Sequence, residues 1–190
     1  MYYMVEKPTP ETSDEAIAVE VQLGNADLFG VLVERYEQKL LRYGRKYLSR
    51  REDIEDMVQD TFISAYRNIQ SFNTSLRFSP WIYRIAHNAF VNALRKNDRG
   101  LVLMDFDTLL SYHVKDETVE TERDVAELRS MLDHGLEKLP AKYREVLVLH
   151  YFEDLSYKDI GDVLKIPLGT VSIRIKRAKE ELRKYIHELP

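Results

Sequence analysis

Apolar residues recur at three- and four-residue steps through most of this chain, the spacing that gathers side chains on one face of an α-helix. A short helix capped by Ser13 is expected to end near Gly24. Asp27 can cap the next, whose stripe is Phe29, Leu32, Val33, Tyr36, Leu40, Tyr43 and Tyr47. Ser49-Arg50-Arg51-Glu52 has the spacing of a capping box, and the helix after it turns Ile54, Met57, Val58, Thr61 or Phe62, Ala65 and Ile69 inward. Ser71 to Ser79 reads as a polar loop. Ser79-Pro80 then offers a capping hydroxyl before a proline at the first helical position. That helix buries Trp81 or Ile82, Ile85, Ala86, Ala89 and Ala93 and ends before Asn97.

The period fades over residues 100–121, an acidic stretch interrupted by the oily segment Leu101 to Leu110, which reads as a linker. Helical spacing returns at about Glu122 to Glu137, with Val125, Leu128, Leu132 and Leu136 inward. Pro140 opens another helix, with Tyr143, Val146, Leu147 and His150 on one side. Ser156 caps a short one containing Ile160, Val163 and Leu164. Pro167-Leu168-Gly169-Thr170 turns into a last helix reaching about Ile186. No strand-like alternation of useful length occurs. The expected fold is all-α: two small helical domains, 1–99 and 122–190, joined by the linker 100–121, the second domain a helix-turn-helix.

Composition narrows the function. The 190 residues include no cysteine, which excludes disulfides, thiolate metal sites and thiol catalysis and suits a reducing cytoplasm. No apolar run approaches the ~18 residues of a membrane span, and the polar, acidic stretch Met1 to Glu15 has no secretory pattern. The net charge of −4 is unusual for a protein that binds free DNA tightly, because phosphate neutralisation supplies much of that affinity. Positive charge is instead concentrated: residues 81–99 carry a net +3 and residues 169–184 a net +4, separated by the acidic linker region. The five histidines are scattered, Asp105 and Asp107 lack a third ligand, and no phosphate-binding glycine loop or nucleophile elbow is present. Neither a metal, a cofactor nor an enzyme activity is expected.

Two surfaces have nucleic-acid chemistry. At about 100° per residue, Val171, Ile175, Ala178 and Leu182 of the last helix share a buried arc. The opposite face shows Ile173, Lys176, Arg177 and Glu180, with Ser172 and Lys179 on one flank and Arg174 on the other. The bases lie in its N-terminal half, the half a recognition helix inserts into a major groove. In the Trp81 helix, Arg84, Asn88, Asn92 and then Arg95 or Lys96 fall at four-residue steps, behind a loop offering Phe72, Asn73, Arg77 and Phe78. Amides, bases and aromatics are the groups that hold an unpaired base and its phosphates.

The segment Phe78-Ser-Pro-Trp-Ile-Tyr-Arg-Ile-Ala-His-Asn88 resembles a signature of the extracytoplasmic-function sigma factors of bacterial RNA polymerase. So does Asp53-Ile-Glu-Asp-Met-Val-Gln-Asp-Thr-Phe62. So, in order, do Leu139 to Arg144, Leu155 to Gly161 and Ile166 to Ala178. The resemblance covers roughly Leu28 to Leu182. It implies an initiation factor whose first domain binds the clamp helices of the polymerase largest subunit and opens the −10 promoter element. Its second domain would read −35 duplex and bind the flap of the second-largest subunit. Carried over residue by residue, Asp56, Gln59, Asp60 and Ile63 would meet core polymerase. Asn73, Arg77, Phe78, Arg84, Asn88, Asn92, Arg95 and Lys96 would meet −10 DNA, and Thr170, Ser172, Ile173, Arg174, Lys176 and Arg177 would meet −35 DNA. The chain departs from the family at Ser172-Ile173, where Lys or Arg followed by Ser or Thr is common. An isoleucine there can touch a thymine methyl but cannot hydrogen-bond.

The resemblance also implies an anti-sigma partner. Without a long apolar run no direct membrane insertion is expected, and the acidic segments, by repelling phosphate, are expected to leave the free protein a poor binder of promoter duplex at physiological salt. An ordinary helix-turn-helix regulator is the alternative. It would account for Gly169 to Ala178 but not for the acidic Asp53–Asp60 helix or the aromatic loop.

Overall fold

The computed structural model describes residues 12–45, 47, 48, 50–96, 135, 136 and 138–187, with the backbone alone for Arg95, Lys96, Ile186 and His187. Among them are seven α-helices and no strand: α1 Asp14–Gln22, α2 Phe29–Gly44, α3 Arg51–Asn68, α4 Phe78–Lys96, α5 Ala141–Tyr151, α6 Tyr157–Leu164 and α7 Leu168–His187. The expected linker 100–121 and most of the expected helix 122–137 lie outside the described residues; Leu136, at the end of that helix, is buried.

Helices α1 to α4 enclose one core. Leu32, Leu40 and Tyr43 of α2, Ala65 of α3 and Phe78, Ile82, Ala86 and Phe90 of α4 are all shut off from solvent. Gly44 lets α2 close on its neighbours: a Cβ there would sit 2.4 Å from the Phe90 ring and 2.8 Å from Ile54 Cγ2. Helix α1 ends as the sequence suggests. Gly24 takes φ 110°, its N–H bonds Val21 O at 3.1 Å, and the Asn25 N–H bonds Glu20 O at 3.0 Å, a Schellman close that needs a left-handed residue.

Local expectations differ from the structure at four places. Asp27 does not cap α2; it sits in a 3-10 turn, Ala26–Leu28, that leads into Phe29. Ser49 lies outside the described residues, and the N-cap of α3 is Arg50, without a side-chain cap bond. Helix α4 begins at Phe78, two residues before Pro80. Proline is still tolerated there, because the first four helical N–H groups have no intrahelical partner. Helix α5 is not one-sided: Val146, Leu147, Val148 and Leu149 are all buried. Four consecutive buried residues turn through most of the helix circumference, and α5 packs on α6 and α7 while its Glu145 reaches α2 and α4; Lys142 and Tyr151, near its two ends, stay exposed.

The C-terminal helices bury Leu139, Val146, Leu149, Leu155, Ile160, Val163, Val171, Ile175 and Ala178, which join the residues of α1 to α4 in one continuous apolar cluster. The two groups touch mainly where α6 packs along α4.

Candidate nucleic-acid interface

Asp56, Gln59, Asp60 and Ile63 fall at three- and four-residue steps on α3 and all are exposed, forming one acidic and apolar stripe. Ile63 is 48% exposed. It shares a groove with Gln59, Val58 and Phe62 of α3 and Val33, Gln38 and Leu41 of α2.

The loop between α3 and α4 is anchored by aromatics at both ends. Phe72 and Phe78 are buried, with ring centroids 5.5 Å apart and edge to face. Half-buried Trp81 lies 5.0 Å from the first and 5.4 Å from the second. Between the anchors the chain turns outward. Asn73 Oδ1 accepts from the Ser75 N–H at 3.0 Å and the Ser75 hydroxyl at 2.7 Å, a side-chain turn that shapes the apex. Asn73, Leu76 and Arg77 are exposed there. Phe78 is fully buried, so it supports the loop from beneath and offers no surface to a nucleotide.

Along α4, Arg84 and Asn92 are exposed and Asn88 is half-buried. The side chains of Arg95 and Lys96 lie outside the described residues.

Sequence reasoning missed what covers this surface. Lys158, Asp159 and Asp162 of α6 line one cleft with Asn73, Leu76, Arg77, Trp81 and Arg84. Arg77 Nη1 is 3.5 Å from Asp159 Oδ2. The Tyr83 hydroxyl donates to the buried Glu153 carboxylate. The Glu145 carboxylate accepts from the Tyr43 hydroxyl at 3.3 Å and from the Tyr47 hydroxyl, and lies 3.2 Å from His87 Nδ1. Burial first, and then the neighbouring carboxylates, push the Tyr43 and Tyr83 phenols well above their ordinary range; burial does the same for Tyr47, with Tyr43 and Glu145 adding to it. The available signal was the placement of Tyr43 and Tyr47 on the apolar stripe of α2, since a buried tyrosine needs a partner for its hydroxyl.

The helix-turn-helix is built by α6 and α7. Ser156 and Asp159 cap α6 reciprocally, each side chain bonding the other's backbone N–H. Lys165, in the left-handed region at φ 55°, ends it, and the Ile166 N–H bonds Gly161 O at 3.1 Å. A Cβ on Gly161 would lie 2.9 Å from the Ile166 carbonyl oxygen, so the turn needs glycine at that position. On α7, Val171, Ile175 and Ala178 are buried, while Ser172, Ile173, Lys176 and Arg177 are exposed and Thr170 and Arg174 half-buried. His150 packs edge-on to Tyr151 and Tyr157 and, with Nδ1 2.9 Å from the Leu155 carbonyl, carries its proton on that nitrogen.

Among the described residues no three His, Asp or Glu side chains gather in a way that could hold a metal ion, and no helix is long and apolar enough to cross a membrane.

Comparison with known proteins gives this arrangement a lineage. Residues 32–100 match the family model for Sigma-70 region 2, and residues 129–182 that for Sigma-70, region 4. The ECF RNA polymerase sigma factor SigW of Bacillus subtilis is 37% identical over 177 residues, covering 90% of this chain and 95% of SigW. The ECF RNA polymerase sigma-E factor of Haemophilus influenzae is 35% identical, covering 94% of this chain and 98% of that protein. Among solved structures, CnrH, in complex with the cytosolic domain of CnrY, is similar with a TM-score of 0.65 and 26% identity over 93% of this chain and 98% of CnrH. The fold is also that of the sigma factor RpoE of Bartonella quintana, in complex with the anti-sigma factor NepR (TM-score 0.62, 21% identity, 85% of this chain and 98% of that one). With the acidic stripe, the aromatic-footed loop and the helix-turn-helix in one all-helical chain, and relatives matched along nearly its whole length, the protein belongs to the extracytoplasmic-function family of RNA polymerase sigma factors.

Proposed function

We propose that three surfaces divide the work of initiation. The α3 stripe of Asp56, Gln59, Asp60 and Ile63 binds core polymerase, its apolar member seated in the α2–α3 groove and its carboxylates meeting basic groups on the clamp helices of the largest subunit. The loop Asn73 to Phe78 captures an unpaired −10 base. Asn73 and Arg77 make the contacts, Phe78 fixes the loop, and Arg84, Asn88, Asn92, Arg95 and Lys96 hold the strand along α4. The exposed half of α7 reads −35 duplex with Ser172, Ile173, Lys176 and Arg177, while Thr170 and Arg174 flank it toward the phosphates. The units are those expected from the sequence, 1–99 and 122–190 with 100–121 between them, and the second also meets the flap of the second-largest subunit. The site of action is the cytoplasm, where polymerase and promoter are.

The observation that carries this reading is the exposed basic face on the first half of α7, set at the end of a capped, glycine-dependent turn. Basic groups there without the acidic α3 stripe and the aromatic loop would fit an ordinary helix-turn-helix regulator. The docked arrangement favours low activity of the free chain. Helix α6 lies over the loop and brings carboxylates to Arg77 and into the cleft beside Arg84, where a DNA phosphate would otherwise bind. An anti-sigma protein that holds both groups of helices would keep that arrangement; CnrH is in complex with the cytosolic domain of CnrY.

Replacing Lys176 and Arg177 together by Ala tests the assignment. Promoter recognition should weaken by about 1–3 kcal/mol for each of the two side chains that reads a base, lowering promoter-dependent initiation, and core binding should be unchanged. Initiation at the wild-type level would move −35 recognition off this face.

A further inference from the structure

Helix α1 precedes the residues matched to Sigma-70 region 2, yet it holds both ends of the loop between α3 and α4. Gln22 Nε2 donates to Ile69 O at 2.6 Å and to Phe72 O at 2.8 Å, so each of its amide hydrogens has a carbonyl at the start of the loop. Gln70 returns the contact through Nε2 to Gln22 O at 3.1 Å. At the loop's other end, Glu15 Oε1 accepts from the Phe78 N–H at 2.8 Å. Phe78 opens α4, and its N–H is one of the groups the helix cannot satisfy itself. A carboxylate there is favoured by the hydrogen bond and by the positive end of the helix dipole.

Glu15 and Gln22 are seven residues apart, two helical turns, so both point from one face of α1, with their Cα atoms about 10 Å apart along its axis. From that face Gln22 reaches the first foot of the loop and Glu15 the second. The helix is itself fixed from behind. Asp14 accepts from Arg35 Nη1 at 2.6 Å and from the Tyr36 hydroxyl at 2.6 Å, and the Tyr36 ring meets the Phe78 ring edge to face at 5.5 Å. Helix, loop ends and aromatic footing therefore form one connected frame, with only the Asn73 to Arg77 apex free of it.

We propose that Glu15 and Gln22 are positioning residues for the −10 loop: they set the spacing and tilt of its two ends, and through them the discrimination among unpaired −10 bases. This rests on the reading of the loop as the base-capturing element. A shift of about 1 Å in a recognising group is enough to cost one to two orders of magnitude in what it recognises.

The test uses the full chain loaded on core polymerase and a linear template library randomised at the −10 element, with the transcribed templates sequenced. Gln22→Glu keeps the shape of the side chain but sets acceptors against two carbonyl oxygens. It should flatten the preference between best and worst −10 base by about 10-fold, with affinity for core polymerase unchanged. Glu15→Ala should do the same, and Glu15→Gln, whose amide oxygen still accepts from the Phe78 N–H, should restore the preference. Hydrogen exchange at the Phe78 amide should be faster in Glu15→Ala than in Glu15→Gln, with the interior of α4 protected equally in both. If these variants only lower the melting temperature and keep the base preference, the clamp is structural and the proposal is overturned. Asn73→Ala separates the two levels. A preference flattened by Asn73→Ala but not by the α1 variants removes the clamp and leaves the loop; a preference untouched by Asn73→Ala removes both.

Discussion

The Tyr83 hydroxyl donates to the Glu153 carboxylate, and both side chains are buried where the C-terminal helices dock on α4. Removing the hydroxyl with Tyr83→Phe takes one donor from a buried carboxylate, which costs about 1–3 kcal/mol. The cost falls on the docked arrangement, because both groups regain water when the helices part. The chain has no cysteine, so labels can be placed at Asn73→Cys and Lys158→Cys without background. The distance between them should be short and narrowly distributed in the parent and longer and broader with Tyr83→Phe; identical distributions would show that this pair does not hold the docking.

Gly44→Ala should destabilise the N-terminal core. Its Cβ would meet the buried Phe90 ring and Ile54 at distances that force one of them to move. Overpacking of this kind costs about 1–3 kcal/mol, or several degrees of melting temperature in a chain of this size. A thermal melt of the full chain reads it directly.

Gly161→Ala should separate the two DNA faces. The obstacle is the Ile166 carbonyl, which is backbone and cannot rotate away, so α7 must shift. Promoter-dependent transcription should drop while affinity for core polymerase stays near the parent value. Lys165→Gly, which relieves a left-handed lysine in the same turn, should be neutral or stabilising by less than about 1 kcal/mol.

Alkaline pH should unfold the protein through its buried tyrosines. Tyr36, Tyr43, Tyr47 and Tyr83 are all pushed upward, chiefly by burial and next, for Tyr36, Tyr43 and Tyr83, by a carboxylate. A phenol with a raised native value keeps its proton where the unfolded chain has already lost it. Stability is therefore intact below the ordinary phenol value of 10.0 and declines as pH rises beyond it. The slope approaches about 1.4 kcal/mol per pH unit for each such tyrosine. Ultraviolet titration should show exposed phenols ionising first and the buried set ionising together with loss of helical circular dichroism. A single smooth titration with the fold retained would contradict the burial.

Much of this architecture is legible in the chain itself, for reasons that differ by element. The buried arc of α7 follows from three- and four-residue spacing, because Val171, Ile175 and Ala178 have no alternative face. The cap of α6 is local, with both partners within three residues. The start of α4 is not local: its cap comes from Glu15, sixty-three residues earlier, so a nearby Ser-Pro pair looks like the better signal. The burial of four consecutive residues of α5, Val146 to Leu149, and the partners of Glu145 and Glu153 depend on how two groups of helices meet, which no periodicity encodes. Phe78 shows the same limit within the site, since its position in the motif suggests contact with a base and its packing makes it a foundation.

On the proposed reading this chain works only when loaded on core polymerase, and a single titration can contradict that. Labelled full-length protein is titrated with core RNA polymerase, in parallel with Ile63→Arg, and each mixture is assayed for promoter-dependent run-off transcription. Saturable binding that yields defined start sites, weakened at least about tenfold by a charge in the apolar groove of the α3 stripe, is the expected result. A chain that fails to bind core polymerase, or that binds promoter duplex tightly and specifically without it, would contradict the claim.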